Sequence, residues 1–147
     1  MTPKITKFDV YTPPDPEEMD GGAVKRTSST GASKGDKLAR FDMIPTGPLT
    51  QLAEHYGKGA IKYPAVDGVD NWRLGYEWSL SYAALQRHVT QFWGGEDFDR
   101  ETGSHHLVAA MWHCMALLEW SAAHPEFDDR PSVAVQKHLD QNGADNE

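Results

Sequence analysis

A chain of 147 residues is the size of one domain, long enough to bury about 70% of the surface its unfolded form exposes. Its formal net charge of −8 argues against a groove for polymeric nucleic acid, which needs a basic face to displace counterions. A nucleotide stays open as substrate, because a bound cation can reverse the local sign.

One cysteine, Cys114, excludes an internal disulfide; in its apolar stretch it reads as a small buried hydrophobe. No apolar run reaches signal-peptide or membrane-spanning length, so a soluble cytoplasmic protein with no membrane partner is expected.

Residues 1–36 are rich in Pro, Gly, Ser and Thr without periodicity and read as an irregular arm. Its end turns basic at Lys25, Arg26, Lys34, Lys37 and Arg40. No segment alternates as a strand would. Helical spacing begins after Pro45: Leu49, Leu52, Ala53, Tyr56, Ala60 and Tyr63 recur at i, i+3, i+4 and i+7, with Thr46 or Gly47 as cap and an end near Tyr63-Pro64. AVDGVDNWRLGYE is a loop. A second helix starts at Trp78 or Ser79, carries Tyr82, Leu85, Val89, Phe92 and Trp93 on its apolar face, and stops at Gly94-Gly95. After an acidic connection, Ser104 can cap a third helix, HHLVAAMWHCMALLEWSAAH, which is apolar on nearly every side and so should be central. Pro125 ends it. The tail from Glu126 is charged, with SVAVQKHL able to form a short exposed helix. The expectation is an all-α bundle over 37–125, preceded by the arm and followed by the tail 126–147.

The densest chemistry lies in GGEDFDRETGSHH, residues 94–106. Its carboxylates at Glu96, Asp97, Asp99 and Glu101 read either as a solvated connection or as oxygen ligands for a hard cation such as Mg²⁺ or Mn²⁺, with His106 close by. The position between two apolar helices, where unpaired charge is costly, favours the cation. No EF-hand, HExxH, CxxC, nucleophile elbow or Walker loop is present. His106 and His113 share a face, and His113 reads as a hydrogen-bonded core residue. Glu54 is either a surface partner of Lys58 at i+4 or part of a clamp across helices. Lys62 and Arg87, the latter beside His88, could answer phosphate, while Asn71 could read a base edge and Trp72 or Tyr63 could stack on it.

The succession KLARFDMIP, GAIKY…NW, RH, GEDFDRETG and HL, spread over about residues 25–122, resembles the phage dATP/dGTP diphosphohydrolase family, relatives of the MazG-type all-α nucleotide pyrophosphohydrolases and including the MazZ type of 2-aminoadenine phages. The resemblance implies a MazG-like helical bundle assembled as a homo-oligomer, dimer or tetramer. It implies two or three Mg²⁺ or Mn²⁺ ions and hydrolysis of a purine deoxynucleoside triphosphate, dGTP or dATP, to the monophosphate and pyrophosphate. It carries over Lys62, Asn71, Trp72, Arg87, His88, Glu96, Asp99 and His106; Glu96, Asp97, Asp99, Glu54 and His106 would hold the ions. This chain departs from relatives at Ala109 and His113, where they often show histidine and Asn or Cys, and it lacks the literal paired-glutamate pattern of MazG proteins. The rivals are an HD-type triphosphohydrolase, whose His-Asp dyad is absent, and a non-enzymatic nucleotide-binding or interaction module.

Overall fold

The computed structural model describes residues 25–35 and 38–143, divided in sequence into two units between Ile44 and Pro45. In the first unit, β1 (Lys25–Thr27) pairs antiparallel with β2 (Ser33–Gly35), Arg26 standing opposite Lys34. This part of the basic segment is therefore a small hairpin, not irregular chain. Its strands are polar throughout, so no hydrophobic alternation announces them. Like charges face each other across it, and closure rests on Ser28 N–H to Ala32 O at 2.8 Å, the Thr27–Ser33 hydroxyl pair at 2.7 Å, and Gly31 at φ 89°. Lys37 and residues 1–24 lie outside the described residues.

The second unit is helical. α1 (Thr46–Lys62) starts after Pro45 without a side-chain cap, and neither Thr46 nor Gly47 serves as one; Pro64 prevents its continuation past Tyr63. α2 (Trp78–Trp93) receives its cap from across the fold: Asp129 accepts from the Ser79 backbone N–H at 2.9 Å and from the Ser79 hydroxyl. Gly95, at φ 96°, supplies the left-handed residue at the other end. α3 (His106–Ala123) is capped by His105, whose Nδ1 accepts from Leu107 N–H, and not by Ser104. α4 (Pro131–Gly143) is the exposed helix expected in the tail.

α3 is central, packing against both α2 and α1. At one end Trp120 and Ala116 are fully buried, with Trp78 beside them and Tyr76, Trp112, Leu117 and Phe127 around. The fold is thus an all-α bundle with a small hairpin in its N-terminal part. Two expectations need correction. α2 buries Trp78, Ser81 and His88, with Leu85 and Phe92 half-buried, while Tyr82, Val89 and Trp93 face outward, Trp93 at 88% exposure. Cys114 is exposed, because among the described residues α3 is packed by α1 and α2 and not all round; Leu118 is 74% exposed. No described helix is long and apolar enough to cross a membrane.

Candidate active site

The face of α2 turned to α3 is polar where a coiled-coil seam would be apolar. Ser81 and His88 on α2, and His106 and His113 on α3, each lie seven residues apart, so all four meet along one line. Tyr76 and Ser81 share a hydroxyl hydrogen bond at 3.1 Å, and Ser81 Oγ lies 3.0 Å from His113 Nδ1. The His113 ring stacks on His88 at 5.8 Å, and His88 Nδ1 lies 2.9 Å from His106 Nδ1. His113 is the hydrogen-bonded core residue its position suggested. His106 is wholly buried, and its Nε2 has no hydrogen-bond partner among the described residues.

Burial first, then the charges of His88, His55 and Arg87, bring the His113 pKa down to about 4. Burial likewise lowers those of His55 and His88. An unfolded histidine takes its proton near 6.5. Above that pH both states are neutral and these rings add no slope. Between 6.5 and about 4 the unfolded chain holds protons that the folded chain refuses, so stability falls as pH falls. One such group contributes at most ~1.4 kcal/mol per pH unit, less where solvent reaches it. Urea midpoints measured from pH 7.5 to 4.5 should decline through this window, and His113→Gln should flatten the decline; an unchanged slope would remove His113 from the account.

The acidic connection lies over the same end of the bundle. His106 N–H donates to Asp97 O at 2.8 Å, Asp99 N–H to Ser104 O at 2.8 Å, and Gly103 N–H to Asp99 O at 2.7 Å, folding residues 97–106 back on themselves. The Asp99 carboxylate organises the turn, accepting from Thr102 Oγ1 at 2.8 Å and from the backbone N–H groups of Thr102 and Glu101. Burial opposes its charge, but those hydrogen bonds outweigh the burial and hold the carboxyl below its usual range. Its charge also reaches His55 and His88. Glu96 pairs with Arg100 at 3.0 Å, Glu101 pairs with Lys62, and Asp97 is exposed.

The Lys62–Glu101 pair ties the loop to the end of α1, and Ser104 ties it to the middle: its hydroxyl is 2.8 Å from His55 Nδ1 and 3.1 Å from Lys58 Nζ. Between them opens a cleft of about 200 Å³, with Gln51, Glu54 and Lys58 on the α1 wall and Phe98, Ser104 and His105 on the loop wall. Glu54 is thereby set across from the acidic loop, and it makes no ion pair with Lys58 among the described residues.

The remaining predicted positions are dispersed. Arg87 is exposed on α2. Trp72 is half-buried between the Tyr56 ring at 5.5 Å and the Arg73 guanidinium at 4.6 Å, and its carbonyl accepts from Trp120 Nε1 at 2.9 Å. Asn71 is half-buried and Tyr63 exposed, with Lys62 Nζ 5.1 Å from the Tyr63 ring centre. His55 was not singled out by the sequence, and Lys58 and Ser104 were read only as a surface partner of Glu54 and as a helix cap. The signal was the polar stripe Gln51, His55, Lys58, Lys62, which recurs at i, i+4, i+7 and i+11 on one face of α1.

For a hard cation the donor set fits in kind. Glu54 lines the cleft itself, while Glu96, Asp97 and Asp99 belong to the same loop as its far wall without lining it; the Glu96–Arg100 pair is a surface pair of about 0–1 kcal/mol, readily exchanged for a stronger partner. Among the described residues, no three His, Cys, Asp or Glu side chains converge on one coordination point.

Residues 28–130, well over half of the chain, match the family described as dATP/dGTP diphosphohydrolase, N-terminal. Comparison with curated proteins finds no match, and comparison with solved structures finds none either.

Proposed function

This chain belongs to the dATP/dGTP diphosphohydrolase family and is an enzyme of deoxynucleoside triphosphate hydrolysis; on that premise we propose that it converts dGTP or dATP to the monophosphate and pyrophosphate, aided by Mg²⁺ or Mn²⁺. The observation that carries the reading is the cleft in which Glu54 and Lys58 of α1 face the acidic loop. A cleft of about 200 Å³ is smaller than the roughly 300–1,000 Å³ of a typical small-molecule site, and we assign it to the phosphate chain and not to the base.

Glu96, Asp97 and Asp99, with Glu54 opposite, are the residues that would hold the ions. Divalent ions bound there supply charge neutralisation and a more acidic water. In this reading water attacks the α-phosphorus and the α–β anhydride bond breaks, with pyrophosphate leaving. Lys62 and Arg87 contribute positive charge toward the leaving phosphates. Asn71 and Tyr63 serve the base, one by its amide and the other by its ring, with Trp72 behind them. His88 and His106 are buried behind the loop, their Nδ1 atoms 2.9 Å apart, and the His106 backbone N–H bonds Asp97 O; from there they would ligate an ion or position the water through the loop. Ile61, Trp93 and Leu118, exposed by 84, 88 and 74%, are the apolar surface a second copy would cover in a homo-oligomer.

With dGTP and Mn²⁺, chromatographic separation of products is expected to show dGMP and pyrophosphate in equal amounts. Release of inorganic triphosphate would assign an HD-type reaction instead, and no turnover with any divalent ion would leave a binding module.

A further inference from the structure

We propose that Lys58 is the cation that receives the phosphate chain in the cleft, and that Ser104 and His55 are there to position it. The proposal deepens the hydrolase reading and rests on it for the identity of the ligand as a phosphoanhydride.

Lys58 is the one cationic side chain among those lining the cleft. A glutamate four residues before a lysine is the favoured order for a helical ion pair, and Glu54 stands at that position. The pair is not made among the described residues. Lys58 Nζ turns instead to the hydroxyl of Ser104 at 3.1 Å.

An ammonium only donates, so Ser104 Oγ accepts from it, and the hydroxyl proton is then directed to His55 Nδ1 at 2.8 Å. That requires a neutral His55 with its proton on Nε2. Ser104 is only 7% exposed, anchored by its carbonyl to Asp99 N–H and by its N–H to Thr102 Oγ1. The chain Lys58–Ser104–His55 therefore fixes a flexible amine at a defined point while leaving two of its three N–H groups for the oxygens of a ligand. A surface lysine that only solubilises the helix needs no buried serine beneath it. Orientation set before binding lowers the entropy lost when an anion arrives. Lys62, by contrast, pairs with Glu101 and does not line the cleft, so its charge acts from outside it.

The test uses inorganic tripolyphosphate as probe, with its binding followed by calorimetry and, in parallel, as an inhibitor of dGTP turnover. Lys58→Met is expected to weaken tripolyphosphate at least tenfold, with Lys58→Arg recovering most of the loss. Ser104→Ala is expected to raise KM for dGTP and the tripolyphosphate Kd together by severalfold, with kcat changing less, a split that simple loosening of the fold would not give. Tripolyphosphate binding by Lys58→Met equal to that of the unmodified protein would overturn the proposal, whether or not dGTP is turned over. Absence of dGTP turnover in the unmodified protein would count against the hydrolase reading alone.

Discussion

Replacing Trp120 with alanine is expected to destabilise the protein by about 3–5 kcal/mol, the range for emptying a fully buried tryptophan site. Its ring is 0% exposed, meets the Tyr76 ring edge-on at 4.6 Å, and closes the cluster with Trp78 and Ala116. Removing it opens a void between α3 and α2 that the surrounding rings are too rigid to fill. The substitution also strands a polar group: Trp120 Nε1 donates to Trp72 O at 2.9 Å, and this bond joins α3 to the loop that carries Asn71. Domains of this size have about 5–15 kcal/mol in total, so the loss is a large share of the fold's stability. Trp120→Phe keeps most of the volume and loses the hydrogen bond, and should cost about 1–3 kcal/mol. Urea unfolding followed by circular dichroism measures both. A shift below about 1 kcal/mol for the alanine variant would mean that the core is organised elsewhere.

Asp99→Asn is expected to lower kcat for dGTP hydrolysis by about 10²–10³, the scale of removing one electrostatic element of a site, while leaving the fold nearly unchanged. The pairing of outcomes follows from the turn. Asparagine keeps one acceptor oxygen for Thr102 Oγ1 and the Thr102 N–H, which share a single carboxylate oxygen, gives up only the long 3.4 Å bond from Glu101 N–H, and is a residue type that favours such local turns. What it removes is the charge, and with it the field felt at His55 and His88. Steady-state kinetics together with an unfolding curve separate the two. Full activity in a folded Asp99→Asn protein would take this carboxylate out of the chemistry, and loss of fold would show that its role is to hold the turn.

Much of the architecture was written in periodicity. The three long helices fall where apolar spacing and Gly or Pro punctuation put them, and the seven-residue interval between His106 and His113 foretold their shared face. Which face of α2 is buried was not legible, because the seam it shares with α3 is made of Ser81, His88, His106 and His113; a rule that sends apolar residues inward points the helix the wrong way. α3, apolar all round, reads as wholly enclosed, yet among the described residues it is covered mainly by α1 and α2, so Cys114 and Leu118 stay outside. The hairpin at Lys25–Gly35 was hidden because polar strands carry no alternation. At the site, the acidic loop and Glu54 were visible as carboxylates, and the cleft that sets Glu54 opposite Phe98, Ser104 and His105 of that loop was not, since it depends on the fold of residues 97–106. Ser104 was recognisable as a capping type and instead bonds His55 and Lys58, a choice made by tertiary contact over local preference.

The central claim is that the phosphate chain and its divalent ions sit between α1 and the acidic loop. A crystal grown with Mn²⁺ and a non-hydrolysable dGTP analogue, examined by anomalous scattering at the manganese edge, tests it most directly. Manganese is expected on the carboxylates of Glu54, Glu96, Asp97 or Asp99, with phosphate oxygens within reach of Lys58 Nζ. Manganese and nucleotide bound on another face, with these carboxylates turned to solvent, would contradict it.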